Sequence, residues 1–194
     1  MRIGLYGGTF DPIHNAHLII AEYVKEELDL QKVIFVPSAF PPHKQIYVDA
    51  QFRFEMVKLA TSDNLGFTIS DVEMNRQGVT YSVDTIAFFK DQLKVPREHL
   101  FWIIGSDNLF SFHRWKSPEK ILQLCTLVVF PRSRDNLANL PEQIDEKEII
   151  YLQDAPFIEI SSTTVRQFVQ NRRSIKYLVP PAVEAYILSN KLYM

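Results

Sequence analysis

At 194 residues, 46% of them hydrophobic, the chain can bury one sizeable core and is short for two. Its 21 basic and 23 acidic residues nearly cancel, with no basic tract to hold nucleic acid and no like-charge tail. A single cysteine, Cys125, excludes an internal disulfide framework. No signal-like region precedes the first strand, and no apolar run reaches the length of a bilayer span. The expectation is therefore a cytoplasmic protein of one domain, 1–194, that binds neither nucleic acid nor membrane.

Residues 3–6 read as a short buried strand. Gly7-Gly8-Thr9-Phe10-Asp11-Pro12-Ile13-His14-Asn15-Ala16-His17 follows, and 18–28 has amphipathic helical spacing. A second apolar strand is expected at 32–37, a loop with Pro41, Pro42, His43 and Lys44 at 38–48, and a helix at 51–60. Further on, 67–74 reads as a strand, 81–93 as a helix and 100–104 as the most apolar strand, followed by Gly105-Ser106-Asp107. The periodicity then predicts a helix at 118–124, a strand at 126–130, a polar loop at 135–147 and a strand at 149–152. Two helices close the pattern, 161–171 and 180–192, the second with proline in its first turn.

Strands alternating with helices predict an α/β fold, a Rossmann-like doubly wound parallel sheet, with a small C-terminal helical part from about 161 to 194. Ligands in such sheets bind outside the carboxyl ends of the strands. That rule gathers 7–17, 37–44, 105–107, Pro131-Arg132 and, if its helix starts at the same edge, 161–166.

The stretch 7–17 carries the chemistry. A glycine turn between strand and helix lets backbone N–H groups approach a ligand, and the new helix presents its positive end, together an anion site. Asn15 is the expected N-cap, with His14 just before it and His17 in the first turn. Two imidazoles beside a phosphate cradle point to phosphate chemistry; the bland reading is one capping and one packing histidine. A zinc site lacks an HExxH pattern and a third ligand. A nicotinamide-dependent oxidoreductase requires GxGxxG and an acidic residue ending the second strand, where Val36-Pro37-Ser38 stands. A non-catalytic nucleotide module shares the fold without needing the histidine pair.

A second anion site is legible at Ile160-Ser161-Ser162-Thr163-Thr164-Val165-Arg166. Hydroxyls at a helix start cap free N–H groups or meet phosphate oxygens, and Arg166 leans back over the helix start with a planar fork suited to phosphate. Asp107, after a buried strand, is placed to meet ribose hydroxyls, and Trp115 is a flat surface for an aromatic ring or a packing residue under a loop. Cys125, in an apolar stretch, reads as a buried small hydrophobe.

The pair His14 and His17 after the glycine turn resembles the HxGH signature of the class I nucleotidylyltransferases, with Ala16 where that family usually has glycine. Residues 160–166 are similar to its ISSTxxR motif. Gly78-Val79-Thr80-Tyr81, Trp115 and the closing 177–193 look like the bacterial nicotinate mononucleotide adenylyltransferases within it. The resemblance implies AMP transfer from ATP to nicotinate mononucleotide in NAD biosynthesis. Related enzymes take nicotinamide mononucleotide or phosphopantetheine. It implies catalytic roles for His14, His17, Lys44 and Arg166 on the phosphates, and ATP contacts from Gly7, Gly8, Thr9, Phe10, Gly105, Asp107, Ser161, Ser162 and Thr163. The acceptor falls to Thr80, Tyr81, Asp107, Trp115 and Arg132, with backbone N–H groups near 78–84 meeting its carboxylate. Magnesium is expected to accompany ATP, with no metal site of the protein's own, and a homo-oligomer is left open.

Overall fold

The computed structural model describes residues 1–42, 45–76, 78–132 and 148–194. His43, Lys44 and the polar stretch 135–147 lie outside the described residues. Six parallel strands form one sheet: β1 (Ile3–Gly8), β2 (Lys32–Pro37), β3 (Phe67–Ile69), β4 (Leu100–Gly105), β5 (Thr126–Phe130) and β6 (Ile149–Tyr151). Their order is β3-β2-β1-β4-β5-β6, so the chain reverses direction across the sheet between β1 and β4. That reversal is the switch point where a doubly wound sheet opens a crevice.

Alternation along the strands divides the core between the two faces. Tyr6, Phe101, Ile103, Val128 and Phe130 face one layer, which α1 (Asn15–Glu27), α2 (Ala50–Thr61), α6 (Ser162–Gln170) and α7 (Pro181–Ser189) cover with Ile20, Val24, Met56, Val57, Val165, Val169, Val183 and Ile187. Ile3, Leu5, Leu100, Trp102, Ile104, Leu127 and Val129 face the other, closed by Val83, Ile86 and Phe89 of α3 (Ser82–Leu93) and Ile121 of α5 (Pro118–Leu124). The short α4 (Ser106–Leu109) and a 3-10 turn at Phe112–Arg114 fill the step between β4 and α5.

Strands β2 and β5 have the bounds the periodicity predicts. The third strand does not: the expected 67–74 ends at Ile69. Ser70 Oγ accepts the Val72 N–H at 3.3 Å, and Asp71 starts a turn in which its carbonyl accepts the N–H of Met74 at 2.8 Å. Local side-chain hydrogen bonding here overrides an alternating pattern that reads as strand. Cys125 is fully buried, its Sγ directed at the Ile121 carbonyl at 3.4 Å, and burial pushes its thiol up to about 12.

Candidate active site

A cleft of about 680 Å³ opens at the carboxyl ends of β1, β2, β4 and β5. Turns far apart in sequence meet in it: Gly7, Gly8, Thr9, Phe10, Asp11 and His17 from the first, Ser38, Pro41, Gln45 and Tyr47 from the second, and Gly105 and Arg132 after β4 and β5. Ser161, Ser162, Thr163 and Arg166 of α6 join them, as do Thr80, Tyr81, Trp115 and Lys116 from the opposite side.

The glycine turn is shaped by packing as well as by ligand approach. A Cβ on Gly7 would lie 2.5 Å from the Trp102 indole, and one on Gly8 would lie 2.8 Å from the Phe10 ring. Phe10 adopts φ 47°, in the left-handed region, with its ring edge-on to Tyr6 at 5.7 Å and to His17 at 5.0 Å. A non-glycine residue held there is over-determined by its surroundings.

The cap of α1 is His14, not Asn15. Asn15 is the first helical residue. Its N–H donates to the Leu178 carbonyl at 2.9 Å and its Nδ2 to the Tyr177 carbonyl at 2.7 Å, so it ties the C-terminal segment to the helix start. The His14 and His17 rings stack at 3.7 Å, and the His14 N–H donates to His17 Nδ1 at 3.2 Å. That bond makes Nδ1 an acceptor and assigns the His17 proton to Nε2. His17 lines the cleft. His14 lies behind it, 1% exposed, against a smaller cavity that also touches Ala16, Ile20 and Arg132. Ala16 thus faces that side cavity and not the main cleft, so its methyl does not narrow the latter. The His14 ring faces the His17 N–H in a reciprocal capping box at the start of α1, a contact that falls short of full hydrogen-bond geometry. Burial, reinforced by the Arg132 charge, lowers the imidazole to about 3, so His14 is neutral at physiological pH.

Asp11 is the junction of the end of the cleft built by the first turn and the start of α6. Its Oδ1 accepts the Tyr193 hydroxyl at 2.6 Å, its Oδ2 accepts the Tyr47 N–H at 2.8 Å, and its carbonyl accepts Arg166 Nη1 at 2.7 Å. Burial and the Asp11 carboxylate push the Tyr193 hydroxyl strongly up, so it remains a donor. Arg166 leans back along α6 as its helical position requires, donating from Nη2 to Thr163 Oγ1 at 3.2 Å and lying 3.9 Å over the Tyr47 ring. Ser161 caps α6 by accepting the Thr164 N–H at 3.1 Å, and Ser162 Oγ donates to the Pro12 carbonyl at 2.8 Å. The two sequence-predicted anion sites are therefore joined directly.

Arg53 escaped the sequence reading. It is fully buried, and its guanidinium donates to the carbonyls of Thr9, Ser38, Ala39 and Val48, tying the turn after β1 to the loop after β2. The signal was present: position 53 shares the buried face of α2 with Met56, Val57 and Ala60.

At the other end, Thr80 Oγ1 and Ser38 Oγ are 3.0 Å apart, and Tyr81 is the N-cap residue of α3. Trp115 packs against Phe112 with centroids 5.4 Å apart and turns its remaining surface to the cleft. Asp107 is half exposed and does not itself line the cleft; its Oδ2 lies 3.6 Å from Nη1 of Arg132, which does. A Cβ on Gly105 would meet Asp107 Oδ1 at 2.5 Å, so that glycine lets the carboxylate fold over the end of β4. Glu73 and Lys116 were not anticipated. Glu73 is a buried lining residue whose Oε1 accepts the Thr85 hydroxyl at 2.7 Å. Among the described residues no three His, Cys, Asp or Glu side chains converge to hold a metal ion, and no helix is long and apolar enough to cross a membrane.

Residues 5–168 match the cytidylyltransferase-like family. The chain is 42% identical over 199 residues to a protein described as a probable nicotinate-nucleotide adenylyltransferase in Moorella thermoacetica, covering 99% of this chain and 91% of that one. It is 43% identical over 199 residues to one so described in Caldicellulosiruptor bescii, covering 100% and 99%. A solved Plasmodium falciparum nicotinic acid mononucleotide adenylyltransferase complexed with NaAD superposes with a TM-score of 0.79 at 21% identity, over 99% of this chain and 97% of that one. The sheet order, the joined anion sites and these matches agree: the chain belongs to the cytidylyltransferase-like family and, within it, to the nicotinate-nucleotide adenylyltransferases.

Proposed function

We propose that the cleft joins ATP to nicotinate mononucleotide. An oxygen of the acceptor's 5′-phosphate attacks the α-phosphorus of ATP. The bond from that phosphorus to the oxygen bridging the β-phosphate breaks, and pyrophosphate leaves nicotinate adenine dinucleotide as the product. The acceptor phosphate is already a nucleophile, so catalysis consists of positioning and charge stabilisation. The observation that carries this reading is one cleft with the glycine turn and the start of α6 at one end and Thr80, Tyr81 and Trp115 at the other.

His17 Nε2–H donates to the phosphates from the cleft wall as charge grows on the leaving group. Neutral His14 acts through its neighbour, setting the His17 ring at the phosphates by stacking on it from behind. Arg166, already oriented by Asp11 and Thr163, and Lys44 meet the outer phosphates. Gly7, Gly8, Thr9, Phe10, Gly105, Ser161, Ser162 and Thr163 enclose ATP. Asp107 takes ribose hydroxyls at the end of β4, Arg132 reaches the acceptor phosphate, and Trp115 and Tyr81 flank the pyridine ring. Magnesium accompanies ATP as part of the substrate, its charge offsetting that of the phosphates. The enzyme acts in the cytoplasm, in NAD biosynthesis.

The test is pyrophosphate release from ATP and magnesium with nicotinate mononucleotide, nicotinamide mononucleotide and phosphopantetheine offered singly. Release with the first, and little with the others, is expected. Release with phosphopantetheine alone, or with none, overturns the reading.

A further inference from the structure

Three cationic side chains line the described cleft, and two have evident work at the phosphates. Arg166 is bound into the start of α6, and Arg132 lies with Asp107 at the ends of β4 and β5. The third, Lys116, stands at the aromatic end. Its Nζ lies 4.5 Å over the Tyr81 ring and 3.0 Å from Asp84 Oδ2, and it directly follows Trp115 in the chain. No Lys or Arg occurs in 78–84, so the fold brings in from another segment a charge which that stretch lacks.

We infer that Lys116 is a specificity-determining residue: its ammonium pairs with the carboxylate on the acceptor's pyridine ring and so selects the acid over the amide. This rests on the acceptor assignment above. The ammonium is paired with Asp84, in the first turn of α3, and lies over the Tyr81 face, two contacts that favour one placement of a long flexible side chain at the cleft wall. Ser82 and Val83 of the same first turn also line the cleft, and their N–H groups precede the first helical hydrogen bonds. A ring lying along Trp115 and Tyr81 therefore directs its substituent between a cation and helix-start donors. A carboxylate is attracted by both. A carboxamide presents no net charge to the ammonium, and its NH2 opposes the donors.

The Lys116–Asp84 pair is about half exposed, so its bare electrostatic value is small. A flat ring covering it displaces water and strengthens the new pair, and about a tenfold discrimination is expected, in the range of a charge-assisted hydrogen bond. The experiment measures kcat/KM for nicotinate mononucleotide and nicotinamide mononucleotide at saturating ATP in the parent, Lys116→Met and Lys116→Arg. Lys116→Met should lose about tenfold with the acid, mainly through KM, and stay within about twofold with the amide, with an unchanged KM for ATP. Lys116→Arg should retain most of the selectivity. Added salt should raise the acid's KM in the parent and leave it nearly flat in Lys116→Met. Equal losses with both acceptors, or an unchanged ratio, overturn the assignment of Lys116 while the reaction stands. A parent inactive with both acceptors overturns the reaction and this inference together.

Discussion

The two ends of the cleft are built by different means. The phosphate end is a knot of backbone groups. Arg53 binds four carbonyls, Arg166 the Asp11 carbonyl, Ser162 the Pro12 carbonyl, and Asn15 the carbonyl of Tyr177. The acceptor end is a set of side-chain surfaces, the rings of Tyr81 and Trp115 with the half-exposed pair Lys116 and Asp84. A triphosphate offers repeated, chemically equivalent oxygens and suits fixed donors. An acceptor ring is told from its analogues by one substituent, and that selection falls to side chains that can change without disturbing the backbone.

If that contrast holds, damage at the phosphate end slows turnover and damage at the acceptor end weakens one substrate. The largest effect is expected from His17→Ala, which removes a donor to developing charge and should lower kcat about 100- to 1,000-fold. A folded variant with near-normal kcat would remove His17 from the mechanism. The next effect is on stability. His14 titrates near 3 in the folded protein against 6.5 ordinarily, so its contribution is fully present above pH 6.5 and is lost as pH falls, because the unfolded chain takes up the proton first. The slope attributable to His14 should approach about 1.4 kcal/mol per pH unit between those limits. Denaturant midpoints of the parent and His14→Gln from pH 7 to pH 4.5 measure it, and parallel profiles would contradict a buried neutral imidazole.

Arg166→Lys keeps the charge and loses the planar fork that serves Asp11 and Thr163 together, so about a tenfold fall in kcat/KM for ATP is expected. Parity with the parent at limiting ATP would remove Arg166 from ATP binding. The smallest effect sharpens the contrast most. Trp115→Ala should raise the KM for nicotinate mononucleotide about fivefold, near 1 kcal/mol of stacking, and leave the KM for ATP alone. Because Trp115 also packs on Phe112, an equal rise for both substrates would identify packing as its whole role.

The same contrast explains what the sequence discloses. The phosphate end rests on contiguous motifs whose spacing is set by local geometry. His17 in the first turn of α1 and Arg166 one turn inside α6 follow from helical periodicity alone, and the carboxyl-edge rule brings them together. What stayed hidden there were long-range partners: Tyr193 on Asp11, and the Leu178 and Tyr177 carbonyls that make Asn15 an anchor rather than a cap. At the acceptor end, Lys116 meets Asp84 across 32 positions, through a short helix and a 3-10 turn that no periodicity announces. Glu73 was read within a strand, and its burial follows only from the turn that ends β3 at Ile69. Arg53 went unread although its helical position was legible, because the four carbonyls it serves lie on other elements or before its helix.

The bond between Tyr193 and Asp11 has a consequence for how the enzyme is made. Synthesis runs from the amino end, so the turn carrying Asp11 leaves the ribosome early, and the hydroxyl that grips it is added 182 residues later. At about 5–20 residues per second that interval is roughly 10–40 s. Throughout it, the nascent chain carries a complete glycine turn and histidine pair but not the hydroxyl that fixes Asp11, and therefore not the finished seat of Arg166. The part of the site that is translated first is the part that is clamped last.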